Sequence, residues 1–381
     1  MRVGILTMNY LYNYGGILQC LALQKILESR GAEVVVIRYS SNKKGSVKKK
    51  LKLLFTDFSL KSYLSWAVDL LSDIFTRITG MRQQLPKNLL RKCSSFISEN
   101  IHYTELCDEQ TIGELVQRMY LDAIVIGSDK IWGAVADEQL VYFGDWVPEF
   151  KGNLISYAAC SSRECIPSFN QQKIRELFSH FSHISVRDEH TKNLFQPFTE
   201  KQISIVADPT VLYGFKEYYV EEKVQPYILT YILGRKIKGG HKEALSEIKK
   251  KVGQLPVKSI VLSNESTDIV NFSDEVIYDA SPIEWLNLIR NAAFVYTDSF
   301  HGIMFSLKFQ RDFIAYYREA SRASRLLDLM YYFDLSSWIV SSVVEMKQKD
   351  SLTIHIKYED LQHKIGRLRN ESLLYLKQAL W

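Results

Sequence analysis

Residues 3–39 read VGILTMNYLYNYGGILQCLALQKILESRGAEVVVIRY, and their pattern decides the fold class. Val3 to Thr7 is a short apolar run of strand length. The loop NYLYNYGG follows and ends in Gly15 and Gly16. From Ile17 the apolar residues recur at helical spacing, with Cys20, Leu23, Ile26 and Leu27 on one face, and Gly31 is a good helix stop. EVVVIRY, ending at Tyr39, is the unbroken apolar pattern of a buried strand. Strand, helix and buried strand in succession predict a parallel pair with a right-handed crossover.

Beyond this unit the pattern changes and then returns. From about Ser41 to Asp108 the chain is rich in Lys, Arg, Leu and Phe at mostly helical spacing, which reads as a helical insertion. Its basic run, Lys48, Lys49, Lys50 and Lys52 beside Leu51, Leu53, Leu54 and Phe55, fits a solvated helix end or a surface touching anionic membrane. Strand–helix alternation resumes with DAIVIGSD (122–129), NLISYAAC (153–160), HISVRD (183–188) and QISIVADPT (202–210), where Pro209 marks a boundary. A second set begins at Tyr227 with YILTYIL and continues through HKEALSEIKKKVG, KSIVLSN and EVIYDA. SPIEWLNLIRNA opens with a capping box, Ser281 as N-cap, Pro282 at the first helical position and Glu284 at the third. AFVYTD, SFHGIMFSLKFQ and RDFIAYY complete the alternation.

The expected fold is therefore α/β, two Rossmann-like doubly wound domains facing a cleft. The first spans residues 1–214, with the helical insertion at about 41–108; the second spans 215–365. A C-terminal helix, residues 366–381, is expected to pack back on the first domain.

Composition narrows the function classes. The 381 residues are 46% hydrophobic and 24% charged, an ordinary globular balance, and the length exceeds what one core usually supports. A net charge of +5 suits a phosphorylated or acidic ligand and is too small to argue for nucleic acid. The five cysteines are odd in number and form no C-x-x-C pair, so neither a disulfide framework nor a zinc site is expected. MRVGILTMNY enters a strand directly, without a signal-peptide pattern, and no run approaches the ~20 apolar residues of a membrane span. A cytoplasmic protein is expected, with peripheral contact at the inner membrane face through the basic insertion as the sharper alternative.

In open parallel sheets ligands bind beyond the carboxyl ends of the strands, so the strand-to-helix turns are where chemistry is sought. Asn13-Tyr14-Gly15-Gly16 exposes backbone N–H groups before a helix, and fits a tight structural turn or an anion loop. Gly127-Ser128-Asp129-Lys130 with Trp132 suits a sugar, Asp129 accepting from hydroxyls and Trp132 stacking on a ring face; an N-cap beside a core tryptophan is the plain alternative. Arg187, in Ser185-Val186-Arg187-Asp188, can grip phosphate or carboxylate in a two-pronged bond, or simply pair with Asp188. In Thr297-Asp298-Ser299-Phe300-His301-Gly302, a histidine at a helix start sits where the helix dipole and free N–H groups attract an anion.

These motifs together carry a resemblance. NYGGILQCLAL, IGSDKIW, the SYAA strand, SVRD, ADPTVL and TDSFHG resemble, in order and spacing, the polysaccharide pyruvyl transferase family, over about residues 4–330. The resemblance implies a two-domain architecture like that of B-type glycosyltransferases, with phosphoenolpyruvate as donor substrate, no cofactor or metal, and a sugar or lipid-linked oligosaccharide as acceptor. The product would be a pyruvate ketal on a surface polysaccharide such as a capsule or exopolysaccharide. By position, His301 matches the catalytic histidine, Arg187 a donor-contacting arginine, and Arg325 another Arg-Leu-rich stretch; Ser299 and Gly302 join the donor side. Asp129 is the candidate for orienting the acceptor, with Asn13, Tyr14, Gly15, Gly16, Ser128 and Trp132 on the acceptor side. Some members carry an arginine two residues before the histidine; Ser299 stands there in this chain, so Arg187, Lys308, Arg322 or Arg325 would have to compensate. The alternatives are a nucleotide-sugar-dependent glycosyltransferase of the same architecture and a non-catalytic glycan-binding relative.

Overall fold

Strands Arg2–Leu6 (β1) and Glu33–Tyr39 (β2) pair in parallel, with Val3 opposite Val34, and helix Tyr14–Glu28 (α1) crosses between them. This computed structural model describes residues 1–8, 11–41, 85–137, 139–146, 150–234, 236–262, 264–318, 326, 330, 332–349 and 356–381. The reading of the basic run at 48–55 therefore lies outside the described residues, as do Arg322 and Arg325. Helix α1 begins at Tyr14, three residues earlier than its apolar spacing predicts, because the Asn13 side chain accepts the N–H of Gly16 and caps it there.

The first sheet grows on both sides of β1. After helix Lys87–Asn100 (α2) come Tyr103–Cys107 (β3), helix Ile112–Arg118 (α3), Ala123–Ile126 (β4) and Asn153–Ser156 (β5). The order is β3-β2-β1-β4-β5, all parallel. Every residue of β4 is buried, as its unbroken AIVI run requires. Helix Ser168–Ser179 (α4), Ile184–Val186 (β6), helix Glu189–Phe195 (α5), Ile203–Ile205 (β7) and the short helix Pro209–Leu212 (α6) follow. Strands β6 and β7 pair in parallel and adjoin β5 through the bridges Ile155–His183 and Ala159–Val186.

The second half repeats the logic. Ile228–Tyr231 (β8), helix His241–Val252 (α7), Val257–Ile260 (β9), Glu275–Ile277 (β10), helix Pro282–Asn291 (α8), Phe294–Thr297 (β11), helix Phe300–Lys308 (α9), Phe313–Tyr316 (β12) and Ile339–Val340 (β13) build a parallel sheet. Its order is β10-β9-β8-β11-β12-β13. The capping box at α8 forms as the sequence predicts, with Ser281 accepting from the Glu284 N–H and Glu284 accepting from that of Ser281. Strand order reverses between β1 and β4 in one sheet and between β8 and β11 in the other, the positions where α/β folds hold ligands.

One apolar core runs through both halves. Tyr14 of α1 stacks on Trp285 of α8 with ring centroids 5.4 Å apart, and its hydroxyl donates to the Ala280 carbonyl at 2.8 Å. Helix Val343–Gln348 (α10) precedes the last helix, Tyr358–Leu380 (α11), which starts eight residues before the expected 366. It leaves from the second half, where the Tyr358 hydroxyl donates to the Arg311 carbonyl, and ends on the first. There Ser372 Oγ accepts from the Ala207 N–H at 2.8 Å, and the Tyr375 hydroxyl donates to the Ser156 carbonyl at 2.8 Å.

Candidate functional site

The carboxyl ends of β4, β6 and β7 deliver Asp129, Arg187 and Asp208 to one buried point, and β11 delivers His301 from the other half. Two of the intervening turns hold backbone in the left-handed region: Asp129 has φ 75° and Ala158 φ 49°. Such conformations persist only where surrounding structure enforces them, and they cluster at functional sites. Gly127 is required here, since its φ is +144° and a Cβ would lie 1.9 Å from the Tyr157 carbonyl oxygen.

His301 occupies the first turn of α9, whose N-cap is Ser299. A Cβ on Gly15 would lie 2.0 Å from its Nδ1, 2.3 Å from Cγ and 2.7 Å from Cε1. Three ring atoms so near one point place that point over the face of the imidazole. Gly15, in the first turn of α1, thus stacks on the ring. The N-terminal turns of two helices from opposite halves meet at one histidine, each turn carrying partial positive charge.

Arg187 is held from several sides. Its Nη1 donates to Asp208 Oδ2 at 2.6 Å, and its Nη2 to Asp129 Oδ1 at 3.1 Å and to Cys160 Sγ at 2.9 Å. The guanidinium also lies 4.4 Å from the Phe300 ring centroid, a cation–π contact. Burial works against the charge, but Cys160, Asp129, Asp208 and Asp188 outweigh it and keep the guanidinium pKa well above its ordinary value. Burial likewise works against the Asp208 carboxylate; His301, Arg187 and Thr210 outweigh it and hold its pKa well below the usual range.

Asp208 links the halves. Oδ1 accepts from the Thr210 N–H at 3.0 Å and the Thr210 hydroxyl at 2.7 Å, while Oδ2 lies 3.5 Å from His301 Nε2. That last distance is an ion-pair distance without hydrogen-bond geometry, and Nε2 is buried with no hydrogen-bond partner. Arg187 Nε and Asp188 Oδ2 are unpartnered and buried as well. Buried polar groups are seldom left without a partner, and these three lie on the segments that meet at Asp208. A mostly apolar cavity is lined by Arg187, Asp188 and Asp208 together with Phe300, Met304 and Leu368.

The structure thus brings His301, Arg187, Asp129 and Gly15 together. It corrects other expectations. Trp132 does not face a sugar site: it is fully buried, stacked on Phe143 with centroids 5.4 Å apart, and its ring N–H donates to the Tyr142 carbonyl. Tyr14 is core between the halves, and Ser128 is buried with its hydroxyl on the Ala158 carbonyl. Asn13 and Ser299 act as helix caps, Ser299 accepting from the Gly302 N–H at 3.3 Å. Gly15 and Gly16 belong to the helix rather than to a loop. Lys308 lies at the far end of α9, its Nζ donating to the Tyr213 carbonyl.

Sequence reasoning missed Asp208 and Phe300 as members of the site. Asp208 carries the signal used for its neighbours, a polar residue just past a buried strand, but Pro209 drew the reading toward a domain boundary. Among the described residues, no group of three or more His, Cys, Asp or Glu is arranged to hold a metal ion. No described helix is long and apolar enough to cross a membrane.

Comparison with known proteins adds a lineage. A family model described as polysaccharide pyruvyl transferase matches residues 13–319. No curated protein sequence matches the chain. Among solved structures, a protein of Listeria monocytogenes described as a UDP-N-acetylglucosamine 2-epimerase superposes with a TM-score of 0.54 at 11% identity, covering 99% of this chain and 95% of that one. UGT89C1 of Arabidopsis thaliana, complexed with UDP, gives 0.54 at 10% identity over 100% of both chains. The UDP-GlcNAc 2-epimerase of Neisseria meningitidis gives 0.50 at 10% identity, also over 100% of both. At these identities the likeness shows the fold alone, the two-domain architecture of B-type glycosyltransferases.

Proposed function

Because this chain belongs to the polysaccharide pyruvyl transferase family, we propose that it moves the enolpyruvyl group of phosphoenolpyruvate onto a sugar of a surface polysaccharide or its lipid-linked precursor, forming a ketal and releasing phosphate. The observation that supports this reading best is His301, set where the N-terminal turns of α1 and α9 converge. Two helix N-termini favour an anion, and a histidine there is placed to give it a proton.

The chemistry assigns roles. A proton passes from the imidazolium of His301 to the methylene carbon of the enol phosphate, whose π electrons form the new C–H bond. The adjacent carbon becomes oxocarbenium-like and is attacked by a sugar hydroxyl. Phosphate then leaves, and a second hydroxyl closes the ring. The neutral imidazole is then in place to take up one hydroxyl proton, and the other leaves with the phosphate. Helix N-termini stabilise the charge on the departing phosphate. Arg187, bonded to two carboxylates, acts in this reading by holding the site together more than by gripping the donor. Asp129, bonded to Arg187, acts through that network. No cofactor enters the scheme. The enzyme would work in the cytoplasm, at the inner membrane face where a lipid-linked acceptor is presented.

Calorimetric titration tests this. Phosphoenolpyruvate, UDP-sugars and GDP-sugars are titrated separately into wild type, His301→Ala and Arg187→Ala. The expected result is binding of phosphoenolpyruvate, weakened about tenfold or more in His301→Ala, and no binding of nucleotide sugars. Nucleotide-sugar binding without phosphoenolpyruvate binding would overturn the reading in favour of a glycosyltransferase. Phosphoenolpyruvate binding without turnover across a broad acceptor panel would instead make the chain a non-catalytic relative.

A further inference from the structure

We infer that Asp208 is the positioning residue of His301, taking its Nε2 so that Nδ1 is the nitrogen presented to the donor. The inference rests on reading His301 as the proton donor and adds the atom through which it acts.

The geometry comes from both halves. Asp208 sits at the end of β7, and three donors already fix its carboxylate: the Thr210 N–H and hydroxyl on Oδ1, and Arg187 Nη1 on Oδ2. A carboxylate so held has one acceptor site left on Oδ2, and the buried, otherwise unpartnered His301 Nε2 lies at ion-pair distance, 3.5 Å, from that oxygen. On the other side Gly15 covers the face of the ring, nearest its Nδ1. The ring is thereby fixed in rotation by a carboxylate at one nitrogen and in tilt by a backbone at its face. Catalytic hydrogen bonds are often long before ligand binds and shorten in the complex. A full charge on the imidazole would draw the 3.5 Å contact in. Arg187 has a part in this that its position in the sequence does not suggest. By clamping both Asp208 and Asp129, it keeps the Asp208 carboxylate ionised in a buried place, where an unpaired charge would not survive.

The groups that meet the His301 ring from the packed elements are Asp208 from the β7 end and the N-terminal turn of α1 at Gly15; Arg187, from the β6 end, bonds Asp208 Oδ2, and Asp188 lines the same cavity as Asp208. Only Asp208 offers a charged atom within ion-pair distance of an imidazole nitrogen among the described residues.

Histidine-selective ¹⁵N NMR on the ligand-free full chain reads this without any substrate. His301 is assigned by loss of its signals in His301→Ala. The neutral ring should be the Nε2–H tautomer in wild type, and Asp208→Asn should shift it measurably toward Nδ1–H. Phosphoenolpyruvate titrated into wild type tests the donor assignment separately. His301→Ala should weaken that binding about tenfold. A wild-type ring with its proton on Nδ1 would overturn the inference even if every Asp208 variant failed to fold. An unchanged tautomer in a folded Asp208→Asn protein would overturn it equally. Failure of phosphoenolpyruvate to bind wild type would refute the donor assignment and leave the tautomer result standing.

Discussion

Replacing Gly15 by alanine isolates the contact between the two halves at His301. The new Cβ would sit 2.0 Å from Nδ1 and 2.3 Å from Cγ. Unbonded heavy atoms rest at ~3.5 Å, so the imidazole must retreat by ~1.5 Å. It cannot do so freely, because the ring is buried. Forcing a methyl group into such a place costs about 1–3 kcal/mol, which lowers the melting temperature by roughly 2–4 °C per kcal/mol for a chain of this order of size. Displacing a reacting group by ~1 Å costs about 100-fold in rate. The assay is a double-mutant cycle of chemical denaturation on wild type, Gly15→Ala, His301→Ala and the double variant, with phosphoenolpyruvate calorimetry on the first two. Gly15→Ala alone should be destabilised and should bind the donor about tenfold or more weakly. In the His301→Ala background the same alanine should cost almost nothing, giving a coupling of about 1–3 kcal/mol. An equal cost with and without the imidazole would refute the reasoning, since the strain would then arise elsewhere.

Other outcomes follow from the same structure. Gly127→Ala should cost ~3 kcal/mol or more and yield little soluble protein, because φ of +144° and a Cβ 1.9 Å from the Tyr157 carbonyl oxygen allow no relief; wild-type denaturation midpoints would count against it. His241 has its pKa pushed down by burial to about 4. The unfolded chain therefore binds the extra proton first as pH falls below ~6.5, and up to ~3 kcal/mol of stability should disappear between there and pH 4. Urea denaturation at pH 7 and pH 4.5 reads this, and His241→Gln should flatten the difference. Burial likewise lowers the Lys308 pKa to about 8, so this group should make the fold more stable as pH rises from 8 towards 10.5. Lys308→Met should leave phosphoenolpyruvate affinity at the wild-type value, because the amine lies at the opposite end of α9 from His301; a tenfold loss would return Lys308 to the donor site.

Much of the scaffold could be read from short-range pattern. The unit from Val3 to Tyr39 and the capping box at Ser281 and Glu284 are local, and local rules suffice for them. The site is less legible because its bonds are long in sequence. Arg187 is recognisable as a cation past a strand end, but its carboxylate partners lie 21 and 58 residues away. Nothing in SVRD says that they occupy it. Trp132 has the sequence context of a sugar platform, yet the facing aromatics that bury it, Phe143, Phe178 and Phe195, come from other elements. The stacking of Gly15 on His301 joins residues in different halves, and no periodicity reports such a meeting. Asp208 could have been found by applying to ADPT the rule applied to GSD and SVRD.

Helix α11 gives the covalent chain a closed circuit. The polypeptide passes from the first half to the second near residues 213–227 and returns along α11, where the Asn153 side chain donates to the Ala379 carbonyl at 2.6 Å. The outward passage includes an exposed run, residues 221–226. A protease nick there would sever the chain without releasing either part. The nicked protein would migrate as one species on gel filtration and as two bands under denaturing electrophoresis. Separately produced fragments meeting at that run would be candidates for reassembly from two genes.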